Sequence, residues 1–329
     1  MHVNYFEINA RCHFDLGKLT GKLFQKKIQE QLTCLRQLKG WSLLIQKAEA
    51  YLKPTIECFP LLYEEIIGYS EGADLPIKEL WTILIEDELL ASSLEKCTLI
   101  VTNQGKIIGH NEDWQADAKD YLALVKKQIG ELIIFELHYQ GSLGGNSISI
   151  NSHGYVQSIN SLSHSDRQIG VPKNIIARFL SETKSPQEDC QKIATILRAS
   201  GYHHAFISRE GKTWSLECSA KRASFSETSS PFVHTNHYLS DLNDCDQANN
   251  EEGSFTRFDF VWKNIKNNMS AKEVKLLLEN QSNGHRLSVF NRRTIGQMMI
   301  DFSSSNVDVW LAREKEKGWL RYPLNFLHP

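Results

Sequence analysis

Apolar positions change their spacing about a third of the way along the chain. From 20 to 95 they recur at three and four residues in a background of Gln, Glu, Lys and Leu, the spacing of amphipathic helices. Leu19, Leu23, Ile28 and Leu32 fall on one such face. Pro54, Pro60 and Pro76 divide the stretch into several helices, and Pro76 is expected to open a helix over Leu75 to Leu94. At Cys97 the texture becomes β-like. In CTLIVTNQGKIIGHNED, β-branched and apolar residues flank an Asn-Gln-Gly turn, which predicts a hairpin with strands near 97–102 and 106–111. Strands are also expected at 131–139, 145–152 and 155–162, the last two joined at His153-Gly154. Two helices at 171–182 and 185–200 begin with Pro and polar caps. A hairpin at 203–219, helices at 251–267 and 270–280, and a hairpin at 294–312 complete the order, with a polar loop at 240–253. Hairpins grouped apart from paired helices indicate α+β layering, and no Gly-rich phosphate loop occurs.

Composition narrows the class. Of 329 residues, 41% are hydrophobic and 23% charged, enough apolar material for a core, and the length suggests about two domains or one large one. Lys plus Arg is 37 and Asp plus Glu is 39, a net of −2, so no basic field exists for nucleic acid. Basic clusters such as Lys22, Lys26 and Lys27, or Arg313, Lys315 and Lys317, read as solvated faces. The longest apolar runs, such as Leu132 to Phe135, fall far short of the roughly 20 residues of a membrane span. The N-terminal residues hold no apolar h-region, so no secretory leader is expected. Seven cysteines without a CxxC pair argue for reduced thiols in a cytoplasmic setting and against structural zinc. His203-His204 and His234-x-x-His237 lie in strand and turn context without a third ligand, so no metal is expected. Phe255, Phe258, Phe260 and Trp262 share one predicted helix and are expected in the core.

One cysteine stands out. Cys97 opens the first strand of the hairpin after a short polar link, and the returning strand carries Asn111-x-Asp113. The segment CTLIVTNQGKIIGHNEDW resembles the start of the mature catalytic chain in the acyl-CoA:6-aminopenicillanic acid acyltransferase family (cysteine peptidase family C45), which are N-terminal nucleophile hydrolases. Four further segments resemble family elements in the same order: YEEIIGYSEGADLP before the cysteine, then GSLGGNSISINSHGYVQSINSL, HTNHYL and GSFTRFDF. The resemblance covers roughly 60 to 301.

The resemblance implies a four-layer αββα fold with two packed antiparallel sheets. It implies that residues 1–96 form a light chain or propiece and 97–329 a heavy chain of the same domain, associated after the chain cuts its own Lys96–Cys97 bond. The freed α-amino group, with an ordinary pKa of about 7.7–8.0, then serves as base for the Cys97 thiol. By resemblance Asn236 is the oxyanion donor, and Asp113 holds the α-amino group and supports the cut. Thr98, Asn111 and Thr294 are supporting candidates. No cofactor is required. The implied substrate is a small N-acyl amide or amino-acid conjugate, with hydrolysis favoured over transfer from acyl-CoA because no basic cluster marks a CoA phosphate site. Lys96 precedes the cysteine where the family often has Gly, and Glu112 stands where the acyltransferase has an aromatic. Two other readings stay open: a relative that keeps the fold as a binding module, and a Cys–His hydrolase that uses His110 without self-cleavage.

Overall fold

The computed structural model describes residues 1–90, 97–245 and 252–327. Strand β1 (Tyr5–Ala10) precedes helices α1 (His13–Arg36), α2 (Trp41–Glu49), α3 (Leu52–Cys58), α4 (Pro60–Ala73), α5 (Ile77–Leu84) and α6 (Glu86–Leu90). Six strands follow: β2 (Thr98–Thr102), β3 (Ile107–Asp113), β4 (Leu122–Ile129), β5 (Leu132–Tyr139), β6 (Ile148–Asn151) and β7 (Tyr155–Ser161). After α7 (Lys173–Leu180) and α8 (Pro186–Thr195) come β8 (Tyr202–Ser208), β9 (Thr213–Cys218), β10 (Ala223–Thr228) and β11 (Phe232–His234). The chain ends with α9 (Glu252–Asn264), α10 (Ala271–Leu278), α11 (Gly284–Leu287), β12 (Thr294–Asp301), β13 (Asn306–Leu311) and β14 (Leu320–Pro323).

These strands make two sheets, β1-β4-β5-β6-β7-β8-β9-β10 and β11-β2-β3-β12-β13-β14. Period-2 alternation gives each sheet two apolar faces, and all four are covered. Leu99, Val101, Ile108 and Met298 of the six-stranded sheet meet Leu124, Leu137, Ile150 and Ile207 of the eight-stranded one. Phe24, Ile28, Ile66, Trp81 and Ile176 from the first helical layer cover the outside of the eight-stranded sheet. Val261, Val274 and Leu278 cover the outside of the six-stranded one. Burying each such Leu or Ile contributes about 1.5–3 kcal/mol. The result is the expected αββα order of layers. Among the described residues no helix is long and apolar enough to cross a membrane.

Several details correct the sequence reading. The eight-stranded sheet is not wholly antiparallel: β1 joins its edge parallel to β4, with Tyr5 opposite Leu124 and Ala10 opposite Ile129. Neither β1 nor β4 shows in the sequence pattern, because their charged positions break the apolar alternation. Leu19 and Leu23 are exposed, whereas Leu16, Phe24, Ile28 and Leu32 are buried. The reason is a glycine seam: Gly17 and Gly21 on α1 meet Gly68 and Gly72 on α4. A Cβ at Gly17 would stand 1.9 Å from the Glu65 carbonyl oxygen, and one at Gly68 2.1 Å from that of Phe14. The contact face of α1 thus runs through residues that carry no apolar signal. Phe255 and Trp262 are about half exposed, at 51% and 52%, because α9 buries a narrower stripe of Gly253, Ser254, Arg257 and Val261. The helix opened at Pro76 breaks at Ile85, and α8 stops at Thr195, where Ile196 turns extended. Residues 91–96, with Lys96, and 246–251 of the polar loop lie outside the described residues.

Candidate active site

Strands β2 and β3 form one hairpin, with Thr98 opposite Asn111 and Leu99 opposite His110. Its turn places Asn103, Gln104 and Gly105 at φ 52°, 54° and 77°. Only glycine fits at 105, since a Cβ there would stand 2.3 Å from the Gly211 carbonyl oxygen. Alternation along the hairpin sorts the site residues. Thr98, Asn111 and Asp113 bond toward the α9 and α10 layer, while His110 and Glu112 bond toward the eight-stranded sheet.

On the helix-facing side Arg257 is central. It sits on the buried stripe of α9 and is 1% exposed. Its Nε donates to Thr98 Oγ1 at 3.1 Å, and its Nη2 donates to Asn236 Oδ1 at 2.6 Å and to the Cys97 carbonyl oxygen at 3.5 Å. Asn236 follows β11, its backbone N–H donating to Ser254 Oγ at 2.8 Å and its Nδ2 to the Ser161 carbonyl at 3.1 Å. An amide nitrogen carries two N–H bonds, and the bond to Ser161 uses one. The carboxylate of Asp113 accepts from Thr294 Oγ1 at 2.6 Å and from Asn291 Nδ2 at 2.7 Å. Thr294 is there because β12 pairs with β3 at that position, beside a register shift. Burial pushes the Asp113 pKa up to about 6, against the opposing pull of Arg257, Thr294 and Asn291. Asn111 turns to structural work: its Nδ2 donates to the Leu278 and Val289 carbonyls, both at 2.9 Å, and its Oδ1 accepts from Gln297 Nε2 at 2.8 Å.

On the sheet-facing side the Cys97 sulfur, a His110 ring nitrogen and a Glu112 carboxylate oxygen all lie within 4.8 Å of one another, and all three residues are buried. His110 Nδ1 is 2.9 Å from Ser158 Oγ, and its Nε2 is 2.9 Å from Glu112 Oε2. Glu112 also accepts from Tyr139 Oη at 2.7 Å and from the Ser147 hydroxyl. Tyr139 in turn lines a cavity of about 440 Å³ with Trp114, Asn146, Glu86, Asp87 and Asp117. That cavity is the candidate entry for a small molecule.

The structure therefore brings Cys97, Thr98 and Asn236 together through Arg257, places Asp113 with Thr294, and sets Asn111 apart. Ser254 and Arg257 are the Ser and Arg of the GSFTRFDF segment, marked in the sequence as a family element but given no role there, and Asn291 is missed. Arg257 falls on the same face of α9 as the buried Gly253, Ser254 and Val261, and a charge at such a position is its signal. Burial pushes the Cys218 thiol up to about 12, so that buried thiol is inert at neutral pH.

Among the described residues two groups carry ligand-type atoms in reach of a metal: Cys97 with His110 and Glu112, and His13 with Glu65 and Glu182. The second is an ion-pair network. Arg178 donates to Glu65 at 3.0 and 2.8 Å and lies 2.7 Å from Glu182. The first is tied by the Ser158, Ser147 and Tyr139 bonds. The doublets His203-His204 and His234-x-x-His237 are engaged within the fold: His203 and His234 stack with centroids 3.4 Å apart, and His234 bonds Glu217 at 2.9 Å.

The family model of acyl-coenzyme A:6-aminopenicillanic acid acyl-transferase matches residues 101–315, beginning just after Cys97. The chain is 27% identical over 242 residues to the 40 kDa form of acyl-coenzyme A:6-aminopenicillanic-acid-acyltransferase of Emericella nidulans, covering 71% of this chain and 63% of that one. It is 26% identical over 204 residues to the beta-alanyl-dopamine/carcinine hydrolase of Drosophila melanogaster, covering 53% of this chain and 52% of that one. The match thus spans less than two thirds of either relative's length. Among solved structures, a mutant of conjugated bile acid hydrolase from Clostridium perfringens matches at TM-score 0.44 and 11% identity, over 70% of this chain and 93% of that one. Penicillin V acylase from Agrobacterium tumefaciens matches at TM-score 0.42 and 11% identity, over 66% and 83%.

Proposed function

The chain belongs to the acyl-coenzyme A:6-aminopenicillanic acid acyl-transferase family, and on that premise we propose that it is a self-processing cysteine amidohydrolase. It cuts its own Lys96–Cys97 bond. The freed Cys97 then attacks the carbonyl of a small N-acyl amide or amino-acid conjugate, releases the amine, and passes the acyl group from its thioester to water. The free α-amino group takes the thiol proton and returns it to the leaving amine. The second Asn236 N–H stabilises the oxyanion, and Arg257 holds that amide by its oxygen. Asp113 steadies the α-amino group, with Thr294 and Asn291 holding the carboxylate. Residues 1–96 and 97–329 stay joined after the cut through the β1–β4 pairing and the buried Glu65–Arg178 pair. The reaction needs no cofactor, and the thiol chemistry suits a reducing, cytoplasmic setting.

The observation that carries this reading is Arg257, one buried cation bound to the Cys97 carbonyl, Thr98 and Asn236. Intact mass of the purified protein tests it. Two fragments divided between 96 and 97, and a single chain for Cys97→Ala, are expected. A wild-type chain that stays whole overturns self-cleavage. His110 beside Cys97 favours one second reading, a Cys–His hydrolase that needs no cut. It expects a whole chain in which Cys97 is alkylated at neutral pH and His110→Ala is not.

A further inference from the structure

In the uncut chain the nitrogen of Cys97 is an amide, delocalised into its carbonyl, and serves no proton. The base of the mature enzyme is therefore missing at the one step that creates it. We infer that His110, backed by Glu112, is the general base of self-cleavage. This rests on the self-processing reading above.

The hairpin supplies the geometry. His110 and Glu112 sit two residues apart on β3, on the same face, and both lie within 4.8 Å of the Cys97 sulfur. Glu112 accepts from the hydroxyls of Tyr139 and Ser147, so toward His110 it acts as an acceptor. This assigns the proton of the neutral ring to Nε2, donated to Glu112, and leaves the Nδ1 lone pair facing the Ser158 hydroxyl. The sulfur and a His110 ring nitrogen lie within 4.8 Å of each other, and one bridging water or a rotation about the Cys97 Cα–Cβ bond links the thiol to Nδ1.

The step balances without another reactant than water. The thiol proton passes to Nδ1, the Ser158 hydroxyl turns to accept from the new N–H, and Glu112 steadies the imidazolium. The thiolate attacks the carbonyl carbon of residue 96. A carbon–sulfur bond forms, the carbon–nitrogen bond breaks, and the imidazolium returns its proton to the departing nitrogen, now the α-amine of Cys97. Water hydrolyses the thioester, leaving a carboxylate on residue 96 and the thiol on Cys97.

The test follows the intact mass of freshly refolded full chains over time. His110→Gly is expected to slow the cut by about 10²-fold or more, and added imidazole to restore it, while the variant melts as a folded protein. His110→Gln, which fills the space without a comparable base, is expected to stay whole with or without imidazole, and it replaces His110→Gly as the test if the glycine variant does not fold. Cleavage of either variant at the wild-type rate overturns the inference and leaves self-processing standing. A folded His110→Gly that imidazole does not restore assigns the residue a structural role and also overturns it. A wild-type chain that never cuts overturns the self-processing reading itself.

Discussion

The two faces of the β2–β3 hairpin each bury a polar set, and the sets are built oppositely. The helix-facing set is organised by a cation: Arg257 reaches Thr98, Asn236 and the Cys97 carbonyl, and its field works against the burial of Asp113. The sheet-facing set is organised by an anion: Glu112 gathers His110, Tyr139 and Ser147. Cys97 belongs to both, its main chain to the first set and its sulfur to the second. A strand sends successive side chains to opposite sides, so a residue at its start can present a fixed backbone to one environment and a reactive atom to another. The cationic side suits stabilisation of developing negative charge, and the imidazole side suits removal of a proton.

The largest effect is expected where the cationic side is emptied. Arg257→Met leaves the Asn236 oxygen and the Thr98 hydroxyl buried without their donor, at a cost of about 1–3 kcal/mol in stability for each orphaned group. Catalysis is expected to fall further than for any other single change on this face, because the Asn236 amide loses the bond that orients it. Thermal melts and kcat on an N-acyl amide check both. Asn236→Ala removes only the proposed oxyanion donor, and a fall in kcat of about 10²–10³-fold with little change in KM is expected. A kcat within about threefold of wild type would take Asn236 out of that role.

Asp113 gives the next effect, and it is legible in pH. Its folded pKa of about 6 lies above the ordinary carboxyl value of about 3.9. The folded state therefore holds this proton more tightly than the unfolded state, and stability falls as pH rises from about 4 to about 6. Below that window the carboxyl is neutral in both states. Above it the full penalty, about 3 kcal/mol, is in place. Asp113→Asn is expected to flatten this part of the stability curve, and denaturant melts at about pH 4, 5, 6 and 7 read the difference. A slope unchanged in the variant assigns it to another group.

How much of this is legible in the sequence depends on the kind of signal each residue carries. The β2–β3 hairpin is visible because apolar alternation flanks an Asn-Gln-Gly turn, and α+β layering follows from hairpins grouped apart from helices, while the αββα order of layers comes from the family resemblance. The parallel edge strand β1 is not visible, since its burial is one-sided and interrupted by Glu7 and Asn9. The α1–α4 seam is hidden for a related reason: its contact residues are glycines, which no hydrophobic pattern reports. In the site, Cys97, Asp113 and Asn236 stand out by motif resemblance with a role attached, whereas Ser254 and Arg257 stand out only as the Ser and Arg of GSFTRFDF, because what a helical charge binds shows only once its burial and partners are known. His110 and Glu112 can be seen as neighbours in sequence. That they meet the Cys97 sulfur requires the register Leu99–His110, which puts 110 and 112 on the side opposite Asn111.

Asn111 is where the comparison can be made sharpest with the smallest change. It shares the helix-facing side with Thr98 and Asp113, yet its hydrogen bonds go to Leu278, Val289 and Gln297, which hold α10 and β12 against the hairpin. If the face acts as one catalytic surface, Asn111→Ala lowers kcat as Asn236→Ala does. If the cationic half is separate, the variant loses about 1–3 kcal/mol, because the Val289 carbonyl loses the Asn111 donor while that of Leu278 keeps Gln297, and kcat at a temperature well below the melt stays within about twofold of wild type. The second outcome is expected, since Arg257 bonds Thr98 at 3.1 Å and no bond joins Asn111 to Arg257, Asn236 or Cys97 among those found for its side chain. Parallel melts and initial rates on the same preparation separate the two, and a large kcat loss with an unchanged melt would extend the catalytic surface one residue further along β3.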